Sequence, residues 1–379
     1  MKNFSYYLPT RIIFGTGQLE NLAQHIEDNL PTKQKILLVT GRHSLKKTGT
    51  TDRLLKILKD FTVILFDKVS PNPTSQAVNE GIEKFKKHQC DLIIGVGGGS
   101  VLDTAKAIAI LTNNAGTLED YQKGKKPEND PQDFIAVPTT AGTSSEMTIW
   151  SVITNLEGQY KNSKKSFSDE KMYPAFALID PQLTYTLPKD QTASTGLDAL
   201  AHAVEGYWSK RNNPLSNIYA LEAIKLVISN LPKALEQPTD QKARENMSFA
   251  ALLAGLAFSN SRTNSPHKIS YPLTSHYNLP HGAACAITIP YFLQYIGQHK
   301  PEAVEGITQC LGLKDHTETA NFLKSFIKKV GMPNCLSDLG IDEGDLPFIA
   351  KNSYVPIEKQ ADPHPIPYED YLSILNKAL

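Results

Sequence analysis

Leu92-Ile93-Ile94-Gly95-Val96-Gly97-Gly98-Gly99-Ser100-Val101-Leu102-Asp103-Thr104-Ala105-Lys106 is the stretch that decides the fold. Its first five residues form a short apolar, partly β-branched run, the composition of a strand buried on both faces. The three glycines end that run, and the residues after them open a helix. The same strand signal recurs at Lys35–Thr40, Val63–Phe66, Phe134–Pro138 and Ala175–Asp180, with amphipathic segments at Asp52–Lys59 and Gln76–Lys87 between. Strand, helix, strand over about 30 residues is the pattern of a doubly wound parallel sheet. After residue 183 strand signals stop and helix-period patterns take over: Gly196–Trp208, Pro214–Asn230, Asp240–Phe258, Ala283–Ile296, Pro301–Leu311, Glu318–Val330 and Tyr368–Leu379. The expected architecture is an α/β dinucleotide-binding domain over residues 1–183 and an all-α domain over 184–379.

The triple glycine has two readings. It lets backbone approach a ligand closely, and the helix behind it offers free N–H groups to an anion at a carboxyl end of a parallel strand. Alternatively it is only a tight strand-to-helix turn. A second polar loop, Pro138-Thr139-Thr140-Ala141-Gly142-Thr143-Ser144-Ser145-Glu146, follows the next strand and favours the pyrophosphate cradle.

Four residues in the helical half read as ligands for one divalent metal. Asp198 and His202 are four residues apart, so on a helix they share a face. His267 and His281 lie fourteen apart, the second in a Pro280-His281-Gly282 break, which hangs them from successive helices. Three imidazoles and a carboxylate suit Fe(II) or Zn(II) and not an all-oxygen Mg or Ca cage. Taken singly, each histidine reads more simply as a core or surface residue; their company favours the metal.

Composition narrows the classes. Of 379 residues, 40% are hydrophobic and 39 basic residues balance 39 acidic ones, so no charge excess points to nucleic acid or an anionic membrane. No apolar run reaches membrane-span length, and Met1-Lys2-Asn3-Phe4-Ser5 lacks the apolar core of a signal peptide, which gives a cytoplasmic expectation. Cys90, Cys285, Cys310 and Cys335 show no CxxC spacing and read as reduced thiols.

Together Gly97–Lys106, Pro138–Glu146, Gly196-Leu197-Asp198-Ala199-Leu200-Ala201-His202-Ala203-Val204-Glu205 and Leu279-Pro280-His281-Gly282 resemble the iron-containing (group III) alcohol dehydrogenase family. The likeness runs from Leu8-Pro9-Thr10-Arg11 to Asp362-Pro363-His364-Pro365. It implies a metal-dependent oxidoreductase using Fe2+ (or Zn2+) and NADP(H) or NAD(H), commonly a homodimer. By position, Gly97, Gly98, Gly99, Ser100 and Asp103 would hold the pyrophosphate and nicotinamide end, and Thr139, Thr140, Thr143 and Ser145 would line the second cofactor loop. Lys165 would reach the cofactor ribose, Gly41 would lie under the cofactor, and Trp150 would line the substrate. Asp198, His202, His267 and His281 match the family's metal ligands.

The chain departs from the family pattern at two places. Tyr271 stands where many members have a histidine four residues after the third ligand, which leaves the proton donor open between Tyr271, His276 and a relayed water. At Val39-Thr40-Gly41-Arg42-His43-Ser44 the usual ribose-binding acid is replaced by a glycine and a cation. That change favours NADPH over NADH, unless Arg42 is simply a solvated loop residue.

Around the third ligand, Ser261-Arg262-Thr263-Asn264-Ser265-Pro266-His267-Lys268-Ile269-Ser270-Tyr271-Pro272-Leu273-Thr274 is similar to the phosphonoacetaldehyde reductases. Arg262 could fork onto a phosphonate or sulfonate, with Thr263, Asn264 and Ser265 adding hydrogen bonds. The plainer reading pairs Arg262 with a structural carboxylate or places it at a helix end. The expected reaction is reduction of a small anionic aldehyde, phosphonoacetaldehyde above all. Sulfoacetaldehyde, succinic semialdehyde or plain short-chain substrates are alternatives. A dehydroquinate synthase-type lyase and a binding protein without chemistry are the rivals from other classes.

Overall fold

The computed structural model describes residues 3–161 and 163–379 and divides into two compact units. The sheet unit covers Leu8–Thr140 and Ser144–Thr186; the helical unit runs from Leu187 to Leu379. The N-terminal segment around Tyr6 and Tyr7 and the short stretch Ala141–Thr143 group with the helices, whereas the expected partition at 183/184 put both with the sheet. Tyr6 donates its hydroxyl to the Leu256 carbonyl (2.8 Å), and Tyr7 exchanges backbone bonds with the Asn260 amide (3.0 and 3.1 Å).

Strands of the sheet unit are β1 (Arg11–Phe14), β2 (Lys35–Gly41), β3 (Thr62–Val69), β4 (Leu92–Gly97), β5 (Phe134–Pro138), β6 (Trp150–Thr154), β7 (Lys164–Ser168) and β8 (Phe176–Ile179). Among the described residues, six form a parallel sheet in the order β1-β8-β5-β4-β2-β3, while β6 and β7 make a separate antiparallel pair. Between strands lie α1 (Leu22–Asn29), α2 (Ser44–Lys47), α3 (Thr50–Ile57), α4 (Ser75–His88), α5 (Gly99–Thr112) and α6 (Leu118–Gln122). Alternate residues of the central strands feed two separate cores: Leu37, Val39, Ile93 and Ala136 enter one, Ile36, Leu38, Ile94, Ile135 and Val137 the other. Burial on both faces is why these strands read as unbroken apolar runs. The edge strand β1 and the hairpin β6–β7 escaped the sequence reading because Arg11–Phe14 is short and Lys164–Ser168 is polar.

In the helical unit lie α7 (Lys189–Trp208), α8 (Pro214–Glu236), α9 (Gln241–Ser261), α10 (Ser265–His276), α11 (His281–Ala286), α12 (Ile289–His299), α13 (Glu305–Cys310), α14 (His316–Lys329), α15 (Leu346–Ser353) and α16 (Tyr368–Lys377). The single helix expected over 283–296 is two, parted where Pro290 cannot donate to the ladder. The segment at 301–311 is likewise a 3-10 turn followed by α13. α7 is buried nearly all round, with Leu197, Leu200, Val204 and Trp208 in the unit's core beside Ile224 and Val227 of α8. Asn213 and Ser216 form a capping box that starts α8, and Asp240 caps α9 through the Ala243 N–H at 2.8 Å. No helix among the described residues is long and apolar enough to cross a membrane.

Candidate functional sites

Two constructions stand out, one in each unit. In the sheet unit the strand order reverses between β2 and β4, and α/β sheets bind ligands outside the carboxyl ends at such a point. Gly41 ends β2 and Gly97 ends β4, next to one another in the sheet, where Thr40 pairs with Val96. A Cβ on Gly97 would lie 2.6 Å from Val101 Cγ2, a stiff branched side chain. Only glycine therefore lets β4 turn directly into α5. Gly98 caps α5 without a side chain, so the N–H groups at Gly99 and Ser100 begin a fourteen-residue helix, the arrangement that suits a pyrophosphate. Thr139 binds back to the Gly97 carbonyl at 3.0 Å, and Thr140 packs where a Gly98 Cβ would sit, 3.3 Å away. The Thr140 hydroxyl is buried without a hydrogen-bond partner, the kind of atom a bound phosphate or ribose would satisfy.

Other expected cofactor residues are engaged differently. Asp103 accepts from the Ser145 hydroxyl (2.6 Å) and the Val152 N–H (2.9 Å), so these two residues brace the second loop against α5. Thr143 falls in the Ala141–Thr143 segment that groups with the helical unit, not with the sheet. Lys165 is exposed with its ammonium over the Tyr160 ring at 5.2 Å; its neighbour Lys164 is the one whose charge acts on Asp103. Adjacent residues of a strand point to opposite faces. Trp150 is half-buried in β6.

Lys106, the last residue of the opening stretch, had no expected role. Its side chain is 1% exposed, and the ammonium donates to the carbonyls of Ser145 (2.8 Å), Thr148 (3.0 Å) and Trp150 (2.7 Å). Burial pushes it down to about 8, and pushes neighbouring Glu146 up to about 7. The second loop is thus hung from a buried cation. A lysine closing an otherwise apolar helix face, 39 residues before Ser145, was the available signal.

In the helical unit, Asp198, His202 and Glu205 share one face of α7. The turn after α9 places Asn264 as the cap of α10, His267 in its first turn, and His281 at the start of α11. A Cβ on Gly282 would lie 1.8 Å from the Ser194 carbonyl and 2.8 Å from Asp198 Cβ. Its absence lets α11 lie directly on α7 and carries His281 to Asp198.

Asp198 Oδ1 is 3.8 Å from His267 Nε2 and 4.0 Å from His281 Nε2, and His281 Nε2 is 3.7 Å from Cys285 Sγ. Ligand atoms of these four residues all lie within 4.8 Å of one another. A tetrahedral ion with bonds of about 2.1 Å requires ligand separations of roughly 3.4 Å, so modest closure suffices. His202, the remaining expected ligand, stands beside this group with its ring centroid 4.5 Å from that of His267. Its Nδ1–H donates to the Gly142 carbonyl (3.3 Å), Nδ1 lies 4.0 Å from Asp198 Oδ1, and its ring stacks on Phe258 at 4.0 Å.

Each ligand histidine is oriented through Nδ1. Glu205 takes the Nδ1–H of His267, and Ser270 Oγ lies 3.4 Å from His281 Nδ1. His267 Nε2 is buried with no hydrogen-bond partner, and this bare nitrogen is what a cation would occupy. Burial raises Glu205 to about 8 and lowers His202 to about 4 and His267 to about 3, keeping the imidazoles neutral, as ligands must be. The residues present therefore fit a divalent metal.

Expected substrate residues divide. Asn264 is not a free donor: its amide gives a bond to the Glu205 carbonyl (2.8 Å) and its N–H one to Glu205 Oε2 (2.6 Å). Ser265 is held by Asp362, at 2.7 Å from its hydroxyl. Glu205 and Asp362 are thus two structural carboxylates the sequence reading passed over, although Glu205 sits at helical spacing, seven residues after Asp198. His276 is exposed at the far end of α10, edge-on to Phe348, nine residues or roughly 13 Å along the helix from His267. Tyr271 lies under the Lys268 ammonium at 5.4 Å. Thr263 is half-buried beside Arg262.

Residues 9–181 match the family model for iron-containing alcohol dehydrogenase, and residues 192–379 match the C-terminal model of the same family. A 1,3-propanediol dehydrogenase of Citrobacter freundii is 36% identical over 92% of this chain and 92% of its own length. The NAD-dependent methanol dehydrogenase of Bacillus methanolicus is 32% identical over 99% and 100%. In structure, the sulfoacetaldehyde reductase of Bifidobacterium kashiwanohense, solved with NAD+, superposes with a TM-score of 0.92 at 32% identity, over 100% of this chain and 99% of that one.

Proposed function

Since this chain belongs to the iron-containing alcohol dehydrogenase family and is an NAD-linked alcohol/aldehyde oxidoreductase, we propose that it reduces a small anionic aldehyde to the primary alcohol. Phosphonoacetaldehyde is the substrate we put first, with sulfoacetaldehyde next to it in chemistry. A dehydroquinate synthase-type lyase is set aside by family membership.

The observation that carries this reading is a cluster of positive charge around the metal ligands. Arg262 and Lys268 are both held below their ordinary values, first by desolvation, then by the charge of Arg211 on Arg262 and of Arg262 on Lys268. The Arg262 guanidinium has no hydrogen-bond or ion-pair partner among the described residues, which answers against a structural carboxylate there. Its backbone sits at φ 70°, a conformation costing a non-glycine residue about 1–3 kcal/mol. That strain is imposed from both sides: Ser209 holds the Ser261 carbonyl at 2.6 Å, and Glu205 holds Asn264. The backbone of the turn is thereby fixed, and a phosphonate or sulfonate could take the fork of the Arg262 side chain.

When bound, the divalent metal would polarise the aldehyde oxygen, and the reduced nicotinamide would deliver hydride. Asp198, His202, His267 and His281 would hold the metal, while Glu205 fixes the ring of His267. Gly97, Gly98, Gly99, Ser100 and Thr140 would hold the pyrophosphate. At the end of β2 a groove of about 480 Å³ is bordered by Arg42, His43 and Lys68 together with Asp67 and Glu80; the absence of a ribose-binding acid at Gly41-Arg42 is what favours NADPH in our reading. A cytoplasmic homodimer completes the reading. The test is a panel of aldehydes with and without a terminal phosphonate, sulfonate or carboxylate, assayed with each cofactor after Fe(II) or Zn(II) loading. Preference for the anionic members supports the proposal; equal or better turnover of butanal overturns it.

A further inference from the structure

We propose that Gln122 is a positioning residue for the cofactor, fixing the β6–β7 hairpin from α6 so that Lys164 is turned toward Asp103 beside the nicotinamide end of NAD(P)H. The inference rests on the cofactor reading above and deepens it by naming what holds the hairpin in place. β6 and β7 pair with each other and not within the six-stranded sheet, so the ladder of that sheet does not set their position. Side chains from two helices do. From α5, Asp103 accepts the Val152 N–H (2.9 Å), its carbonyl takes the Ser151 hydroxyl (2.8 Å), and Lys106 donates to the Trp150 carbonyl (2.7 Å). From α6, Gln122 Nε2 donates to the Ile153 carbonyl of β6 (3.2 Å) and to the Lys165 carbonyl of β7 (3.1 Å), and its Oε1 accepts from the Asn155 amide (2.5 Å).

Ile153 and Lys165 are directly opposite in the hairpin register, so one amide ties both strands at the same level. α6 is a firm support for it. Thr117 and Asp120 form its capping box, Leu118 and Tyr121 are buried, and the Tyr121 ring lies 6.3 Å from that of Phe167 in β7. Glu119 of the same helix accepts the Gln159 N–H (3.1 Å) in the loop joining the strands. Successive side chains of a strand alternate between its faces. With the Lys165 carbonyl tied, Lys164 is the lysine whose charge acts on Asp103, and Lys165 lies over the Tyr160 ring. A one-residue slip of β7 would exchange the two lysines. Asp103, four residues after Gly99 on α5, carries that position to the glycine loop.

Gln122→Met keeps the length of the side chain and removes its donors and its acceptor. It should weaken NADH and NADPH binding roughly tenfold in a fluorescence titration, the scale of a lost charged contact. KM for the cofactor should rise with little change in KM for the aldehyde. Lys164→Met should weaken binding at least as much. The double variant should bind no more weakly than Lys164→Met alone, since Gln122 acts through that lysine. Losses that add, or a folded Gln122→Met variant that binds cofactor unchanged, overturn the inference and leave the cofactor site standing. Where Gln122→Met fails to fold, hydrogen exchange on the unmutated protein decides. NAD(P)H should slow exchange at the β6–β7 amides, and unchanged rates there with cofactor bound overturn the inference. Failure of the unmutated protein to bind either NADH or NADPH overturns the cofactor reading as well.

Discussion

Glu205, seven residues beyond Asp198 on α7, accepts the Nδ1–H of His267 while fully buried, and so directs the opposite ring nitrogen toward Asp198. A carboxylate behind a ligand histidine fixes its tautomer and raises its basicity. Glu205→Ala should therefore lower metal affinity roughly 10- to 100-fold. Metal content after dialysis against a chelator measures this, and full retention would show that the pair serves packing alone.

Arg262→Ala removes the guanidinium offered to the substrate's anionic group. The loss should appear as a rise in KM for phosphonoacetaldehyde or sulfoacetaldehyde of about 2 kcal/mol, roughly 30-fold, with little change for butanal. Equal losses on charged and neutral substrates would mean that Arg262 shapes the turn and does not bind substrate.

Lys106→Met leaves three carbonyls, those of Ser145, Thr148 and Trp150, without their shared donor in a buried place. At about 1 kcal/mol or more each, stability should fall by roughly 3 kcal/mol. Affinity for NAD(P)H, read by fluorescence titration, should fall with it because the loop it suspends borders Thr140. Unchanged cofactor binding in a folded variant would detach the loop from the cofactor.

Glu146 gives a pH signature. Its folded value of about 7 stands above its ordinary 4.5, because its charged form is desolvated. The stability it contributes is complete below pH 4.5 and is lost as pH rises through 7. Glu146→Gln lacks that loss, so its stability relative to the unmutated chain should improve across this window by about 3 kcal/mol. Urea titrations at both ends measure it, and a pH-independent difference would place the ionised carboxylate in a solvated setting.

Much of the fold was legible beforehand. Leu37, Ile93 and Ile135 sit in strands buried on both faces, and such strands must be apolar throughout, so periodicity alone found them. Gly97 and Gly282 were visible as breaks, though not as close approaches, since what a missing Cβ avoids is set by a neighbour elsewhere in the chain. The roles of polar residues were harder to read. Asp103 and Asn264, expected as ligand contacts, also brace their neighbours, while Lys106, Glu205 and Asp362 carried no forecast role.

Hydrophobic spacing is a local property, carried by neighbouring residues under the 2- and 3.6-residue periods of backbone geometry, and the sequence alone determined the α/β and helical halves and most of the metal-binding group. Which nitrogen of His202 faces Asp198, which of Lys164 and Lys165 acts on Asp103, and whether Cys285 reaches the cluster are long-range facts. They depend on how closely helices and strands distant in sequence approach one another, and only packing in three dimensions decides that.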